Sequence, residues 1–253
     1  MNDVYRLDGK LTLVTGASKG IGAAIAKAVA RQGSDVLLLA RDLQKTEKVA
    51  DEIRAMGRDA KVFQVDISDI DQVNNFLESQ KETLEKLDNY INNAGFTIYK
   101  SFMGSSIEDF DNLFAVNVRG TIPLVQTTAQ YMKKRGKGTI TFVTSINGLS
   151  SLPSQAFYSS TKATLESLVK SLASELAGSG VRVNSVVPGA INTDMNPQFS
   201  DPERLKKTEK LIPCGRVGES EEIADVVAFV CSDAARYMYG SSVVVDGGFL
   251  LRE

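Results

Sequence analysis

Short apolar runs alternate with longer amphipathic segments from one end of this sequence to the other, and that alternation leaves few folds open. The runs are Leu11–Thr15, Asp35–Ala40, Lys61–Val65, Leu87–Ile91, Thr139–Thr144, Val181–Val187 and Ser242–Val245. They are apolar on both sides, as strands covered by helices on both faces must be. Between them, Ile21–Gln32, Leu43–Met56, Asp69–Lys86, Ile107–Lys134, Ala156–Ala177 and Glu219–Cys231 carry helical periodicity, and Gly33, Gly57 and Gly178 or Gly180 stand where helix C-caps belong. Strand-helix alternation with right-handed crossovers predicts an α/β chain built on one doubly wound parallel sheet. No repeat or low-complexity linker interrupts it, so a single domain is expected over residues 1–253. The least regular stretch, Asn192–Gly215, follows a strand's carboxyl end. Ligands of such sheets sit outside the carboxyl ends at the switch in strand order, so residues 190–215 are expected to form a substrate lid.

The chain of 253 residues contains no histidine, which excludes Ser/His/Asp and Cys/His nucleophilic sites and HExxH zinc chemistry. Its two cysteines, Cys214 and Cys231, cannot make a four-ligand zinc site. They show no CxxC spacing and fit a reducing compartment. A net charge of −2 without long runs of either sign gives no footprint for nucleic acid or anionic membrane. The basic cluster Lys133, Lys134, Arg135 and Lys137 reads as a solvated loop. No apolar run approaches the ~20 residues needed to span a bilayer, and the first residues lack the pattern of a signal peptide. The expectation is a soluble, cytoplasmic protein without a metal.

The first strand runs into Thr15-Gly16-Ala17-Ser18-Lys19-Gly20-Ile21-Gly22 and then a helix. Such glycines let a backbone turn tightly and approach a pyrophosphate, which helix N-terminal amides then bind. The spacing differs from Gly-x-Gly-x-x-Gly. Asp66, after the third strand, could accept from an adenine amino group or simply cap a turn. Asn92-Asn93-Ala94-Gly95 could hold the fourth strand's end against a ligand, or be a plain Asn-rich turn. Tyr158 and Lys162 share one helix face, with Cβ atoms roughly 5–6 Å apart. An ammonium at about 5 Å contributes roughly 3 kcal/mol at an effective dielectric near 20, which is worth about two units of phenol pKa. In a histidine-free chain this is the most plausible acid/base pair, although YxxxK standing by itself would read better as a surface pair.

Together these residues resemble the classical short-chain dehydrogenase/reductase family over nearly the whole chain. The motifs fall in family order: Thr-Gly-x-x-x-Gly-x-Gly, Asn-Asn-Ala-Gly, Asn117, Ser145, Tyr-x-x-x-Lys, then Pro188-Gly189 followed by Thr193. The resemblance implies a Rossmann-type, seven-stranded parallel sheet with helices on both faces, and a nicotinamide cofactor. It implies that Tyr158 exchanges the substrate proton, Ser145 hydrogen-bonds the substrate oxygen, Lys162 binds the nicotinamide ribose and lowers the phenol pKa, and Asn117 holds a water in a proton relay. The cofactor residues it implies are Gly16, Ser18, Lys19, Gly20, Ile21, Gly22, Arg41, Asp66, Ile67, Asn93, Ala94, Gly95, Tyr158, Lys162, Pro188, Gly189, Ile191 and Thr193.

The expected reaction is hydride transfer between NADP(H) and a ketone or secondary alcohol. NADPH is expected over NADH because the second strand ends at Ala40, not at an acidic residue, and Arg41 follows; Lys19 could reach the same 2′-phosphate. Asp42 would reverse this if the strand ended one residue later. Ser145, Asn147, Tyr158, Phe96, Ile98 and Met195 are the expected substrate pocket, with Tyr99, Phe102, Leu149 and Phe157 nearby. Ile191–Met195 and the lid resemble 3-oxoacyl-carrier-protein reductases, whereas Leu39-Ala40-Arg41 is more similar to tropinone-type ketone reductases. A 3-oxoacyl-thioester reductase and a non-catalytic cofactor-binding regulator remain the alternatives. The long helices Ile107–Lys134 and Ala156–Ala177, rich in small and apolar residues, point with the family habit to a homotetramer.

Overall fold

The computed structural model describes residues 3–251, so Met1, Asn2, Arg252 and Glu253 of the expected domain lie outside the described residues. Seven strands, β1 (Leu11–Thr15), β2 (Asp35–Ala40), β3 (Ala60–Gln64), β4 (Asn89–Asn92), β5 (Gly138–Val143), β6 (Val181–Pro188) and β7 (Ser242–Val245), form one sheet in the order β3-β2-β1-β4-β5-β6-β7. Every neighbouring pair is parallel. The order reverses between β1 and β4, which opens a crevice at their carboxyl ends.

Period-two alternation sends each strand's side chains to two separate cores. Val14, Val36, Leu38, Ile91 and Val186 meet α1 (Gly20–Arg31), α2 (Leu43–Ala55) and α9 (Ser220–Cys231) on one face. Leu13, Leu37, Leu39, Tyr90 and Phe142 meet α3 (Ile70–Ser79), α6 (Thr121–Arg135) and α7 (Ala156–Leu176) on the other. On α1, Ala23, Ala24, Ala26, Ala28 and Ala30 are buried, which lets α1 lie close to α9. The glycine caps are in place: Gly33, Gly57 and Gly180 take positive φ of 108°, 79° and 74°. Of the pair after α7 it is therefore Gly180, following a 3-10 turn at Ala177–Ser179, that ends the element.

Three elements differ from expectation. The predicted helix Asp69–Lys86 is interrupted at Gln80, and α4 (Lys81–Leu84) starts afresh so that Leu84 and Leu87 turn into the core. The predicted helix Ile107–Lys134 is α5 (Ile107–Phe114), a π-helical turn at Ala115–Arg119, Gly120 and then α6. Gly120 packs so tightly on the Ile67 carbonyl that any Cβ would collide with it, and Pro123, which has no N–H to give, falls in the first turn of α6. Only Lys137 of the basic cluster lies in an exposed loop; Lys133, Lys134 and Arg135 are the last turn of α6, where cations suit the helix dipole. Arg135 and Lys137 also flank Asp88, each at 3.7 Å.

Residues 190–215 have structure of their own: a single bridge from Ile191 to Gly218, a 3-10 turn at Pro197–Ser200 and α8 (Pro202–Glu209). Among the described residues, no helix is long and apolar enough to cross a membrane, and no cluster of metal-ligating side chains occurs.

Candidate active site

A cleft of about 960 Å³ opens at the carboxyl ends of β1 and β4, between the glycine loop and the 190–215 segment. The β1–α1 loop builds its floor. Gly16 and Gly20 adopt positive φ of 67° and 54°, and a Cβ on Gly16 would stand 2.9 Å from the Ala94 Cα. Asn93 pins this loop to β4: its Nδ2 donates to the Thr15 carbonyl at 2.9 Å, while the Asn93 and Ala94 amides both donate to Thr15 Oγ1 at 3.0 Å. The Asn-rich turn thus ties two strand ends together at the switch point. No side chain caps the N-terminus of α1, and its first turn holds no acidic residue, so its amides and its positive dipole end are presented to the cleft.

All the expected cofactor residues line this cleft: Gly16, Ser18, Lys19, Gly20, Ile21, Gly22, Arg41, Asp66, Ile67, Asn93, Ala94, Gly95, Tyr158, Lys162, Pro188, Gly189, Ile191 and Thr193. At the rim, β2 ends at Ala40, and Asp42 is engaged as the N-cap of α2, its side chain accepting from the Lys45 amide at 3.0 Å. Arg41 is exposed and lies 3.8 Å from Asp66 Oδ2. Asp66 does cap its turn, with Oδ1 accepting from the Ser68 amide and hydroxyl at 2.9 and 2.7 Å. Lys19 is engaged by the lid, its Nζ pairing with Asp194 Oδ2 at 3.0 Å.

The opposite half of the cleft brings Ser145, at the end of β5, together with Tyr158 and Lys162 on α7. The Ser145 hydroxyl accepts from the Asn147 amide at 3.2 Å, which leaves its proton available to its Tyr158 neighbour or to an oxygen in the cleft. Behind it, Asn147 Nδ2 donates to Gln155 Oε1 at 2.7 Å and Gln155 Nε2 to Thr97 Oγ1 at 3.3 Å. Lys162 Nζ donates to the Val143 carbonyl at 3.0 Å and sits 5.7 Å from the Tyr158 ring centroid. Burial sets the charge states here. It pushes the Tyr158 phenol up to about 12, against a smaller downward pull from the Ser145 hydroxyl. It also lowers the Lys162 ammonium to about 8, with Glu166 acting the other way. Desolvation thus places the phenol above its ordinary value and not below it as expected, and the same burial weakens the charge of the neighbouring Lys162.

Asn117 lies behind the wall, not in it. It is fully buried on the π turn, its Nδ2 donating to the Phe96 carbonyl and to Thr161 Oγ1 and its Oδ1 accepting from the Phe96 amide. Both amide hydrogens are thus engaged within the protein. Gly95 brings Asn117 close to the centre: a Cβ there would stand 3.1 Å from Asn117 Oδ1 and 3.7 Å from Lys162 Nζ.

Of the expected substrate residues, Ser145, Asn147, Tyr158, Phe96 and Met195 line the cleft and Ile98 does not. Ile98 falls between Thr97 and Tyr99, which do. Phe102 and Phe157 are also displaced: beyond the lining, Phe157 meets Phe102 and Phe110 edge to face, with ring centroids 5.7 and 5.3 Å away. Leu149 likewise lies outside the lining and is half exposed. Leu152, Gln198, Phe199, Leu211 and Phe249 join the lining. Phe249 comes from beyond β7, and no local pattern marks it. Tyr99 fastens the lid, its hydroxyl donating to Asn196 Oδ1 at 2.7 Å and accepting from Gln198 Nε2 at 3.1 Å.

Comparison with known proteins agrees with this geometry. Residues 16–250 match the family model described as Enoyl-(Acyl carrier protein) reductase. The chain is 38% identical over 244 residues to the 3-oxoacyl-acyl-carrier-protein reductase FabG of Aquifex aeolicus, covering 96% of this chain and 98% of that protein. It is 37% identical to an L-rhamnose 1-dehydrogenase (NAD(P)(+)) of Sphingomonas sp., with 96% of each covered. A gluconate 5-dehydrogenase from Burkholderia cenocepacia, solved in complex with NADP and tartrate, superposes with a TM-score of 0.94 at 28% identity over 99% of both chains. Sheet order, cleft and these likenesses lead to one conclusion: the chain belongs to the classical short-chain dehydrogenase/reductase family of oxidoreductases.

Proposed function

We propose that this protein is an NADPH-dependent carbonyl reductase that interconverts an uncharged ketone and its secondary alcohol, with Tyr158 as general acid/base. The observation that carries the reading is the convergence of the Tyr158 phenol, the Ser145 hydroxyl and the Lys162 ammonium at the inner end of a cleft whose outer end is a glycine cradle beneath free helix amides. The cradle fits a dinucleotide: a Cβ on Gly16 or Gly22 would collide with Ala94 and Asn93 or with the Gly16 carbonyl, so only glycines let the turn fold this tightly against β4, and the α1 amides beyond it carry no side-chain cap. Gly16–Gly22 and the α1 amides would hold the pyrophosphate, Asp66 and Ile67 the adenine side, and Asn93–Gly95 with Pro188, Gly189, Ile191 and Thr193 the nicotinamide side. Arg41 suits a 2′-phosphate, and Asp42, committed as a helix cap, is not available to a 2′-hydroxyl.

When bound, the nicotinamide supplies or accepts the hydride. The chain's own residues handle the proton and the oxygen. A phenol held near 12 is protonated at neutral pH, so Tyr158 is poised to donate from its Oη to a developing alkoxide. Ser145 donates its hydroxyl hydrogen to the same oxygen, and the Asn147–Gln155–Thr97 chain fixes where that hydroxyl stands. Once the phenol has given its proton, the nearby Lys162 ammonium stabilises the phenolate in a site of low dielectric.

The substrate half is walled by Phe96, Tyr99, Leu152, Met195, Phe199 and Leu211. Apart from Lys162, the cations among the described lining residues are Lys19, Arg41 and Lys45, all near the glycine loop and the β2 end. That distribution favours an uncharged, partly apolar ketone over a sugar acid. The test is kcat/KM with NADPH and NADH over neutral ketones, a 3-oxoacyl thioester and a keto-sugar acid. Neutral ketones reduced best with NADPH are expected; best turnover on the sugar acid, equal use of NADH, or no turnover at all would each defeat the reading.

The same reading includes a single catalytic unit with a lid at 190–215, action in the cytoplasm and a homotetramer. Free Cys214 and Cys231 suit a reducing compartment. α7 turns Ser160, Ala163, Thr164, Ser167, Ser171 and Ser174 outward, small residues that allow close helix approach, and Met103, on the 3-10 turn before α5, and Ile107, its first residue, stand exposed. Light scattering should give about four times the 27.4 kDa chain mass; a monomer at micromolar concentration would exclude this part.

A further inference from the structure

Glu166 is buried to 3% exposure on the face of α7 that carries Tyr158 and Lys162, one turn beyond Lys162. Its carboxylate gathers hydroxyls from three consecutive strands. Thr144 Oγ1 donates to Oε1 at 2.5 Å, and Ser185 and Ser242 donate to Oε2 at 3.1 and 2.6 Å. Three hydroxyls converging on its two oxygens solvate a carboxylate well, although Thr144 Oγ1 also lies 3.3 Å from the Val186 carbonyl. A lone buried charge is costly; of the two lysines four residues from Glu166 along α7, Lys170 is exposed and Lys162 is only 4% exposed, so Lys162 is the buried partner. The strand contact is also directed. Thr144 sits between Val143, whose carbonyl receives Lys162 Nζ, and Ser145. Glu166 therefore touches both sides of the inner cleft without lining it.

From these contacts we infer that Glu166 is a positioning residue for the oxidoreductase chemistry: its charge keeps Lys162 an ammonium at working pH, and its bond to Thr144 fixes the strand end from which Ser145 and the Val143 carbonyl project. The inference rests on the proposed role of the Tyr158/Lys162 centre. The titratable groups facing Lys162 are Glu166 along α7 and the Tyr158 phenol on the preceding turn, with Tyr99 beyond it; β5, β6 and β7 present hydroxyls and carbonyls to Glu166, and the π turn presents the neutral Asn117. Charge loss at Glu166 should thus move Lys162 and little else.

The experiment compares wild type, Glu166→Gln and Glu166→Asp by two readouts. One is the pH profile of kcat/KM for ketone reduction. The other, independent of turnover, is the rate of Lys162 methylation by formaldehyde and cyanoborohydride, followed by mass spectrometry against pH, since only the neutral amine reacts. Glu166→Gln should move the midpoint of Lys162 down by about one to two pH units, the size expected of a single charge at roughly 6 Å. Glu166→Asp should keep it within about half a unit even if kcat falls. If Glu166→Gln does not fold, Glu166→Met with Thr144→Val, Ser185→Ala and Ser242→Ala removes donors and acceptor together, and the same downward move is expected. A midpoint unchanged within a few tenths of a unit in the neutral variants overturns the inference, whatever happens to kcat. Wild type that turns over no ketone defeats the proposed function, while the methylation arm still decides the role of Glu166.

Discussion

Lys19 Nζ of the glycine loop lies 3.0 Å from Asp194 Oδ2 of the lid, so one ion pair spans the mouth of the cleft. Both side chains are more than half exposed, at 55% and 70%, and such pairs contribute about 0–1 kcal/mol. A doubly charged 2′-phosphate at the rim would compete with Asp194 for the ammonium. Asp194→Asn releases Lys19 and should lower KM for NADPH by about two- to fivefold, with KM for NADH unchanged. Steady-state titration of each cofactor checks this; equal changes for both would show that the pair acts on the lid alone.

Arg41 should carry most of the cofactor preference. Its exposed guanidinium has only a 3.8 Å approach to Asp66 to give up, and a charge-assisted contact with phosphate is worth roughly 1.5–3 kcal/mol. Arg41→Ala is expected to cut the NADPH/NADH ratio of kcat/KM by about tenfold or more. An unchanged ratio would place discrimination elsewhere on the rim.

Tyr158→Phe should lower kcat by about two to four orders of magnitude, while NADPH affinity, measured by fluorescence titration, changes less than about threefold. Wild-type reduction should also fall on the alkaline side. Lys162 is held near 8 and Tyr158 near 12, so the first proton lost as pH rises comes from the ammonium. Kcat/KM is then flat near neutrality and declines as pH passes about 8, with no second break below about 11. A mutant that keeps a tenth of wild-type kcat, or a profile that rises through pH 9, contradicts these assignments.

Arg182 is a stability prediction remote from the chemistry. Its guanidinium reaches the carbonyls of Val230, Ala235 and Ser232 at 2.8, 3.1 and 3.1 Å, and Thr139 Oγ1 at 2.9 Å. It thereby caps the carboxyl end of α9 with a buried cation, where the helix dipole favours one. Arg182→Met keeps the stem and strands those acceptors, so a loss of about 2–4 kcal/mol is expected. That corresponds to about 5–15 °C in Tm for a chain of this size. Calorimetry on the purified variant measures it, and a drop under about 2 °C would mean that water replaces the guanidinium.

Much of this protein is legible in its sequence, and for a local reason. The strand ends at Thr15 and Ala40, the glycine turns, and the pairing of Tyr158 with Lys162 all follow from periodicity or from spacings of a few residues, which backbone geometry translates directly into position. The interruption of helix Ile107–Lys134 was not legible, because the π turn is imposed by Gly120 meeting a carbonyl from β3's side of the sheet. Ile98, Phe102 and Phe157 read as pocket residues because apolar side chains after a strand end look alike until neighbouring elements choose which of them face inward.

Chain pattern alone therefore determined the sheet, the cradle and which side chains could exchange a proton. Tertiary structure alone decided their charge states, the engagement of Lys19 by Asp194, the seclusion of Asn117, and the gathering of Thr144, Ser185 and Ser242 around Glu166. These depend on burial and on contacts between residues far apart in the chain. Desolvation is a property of everything packed around a group, so no spacing along the sequence can encode it.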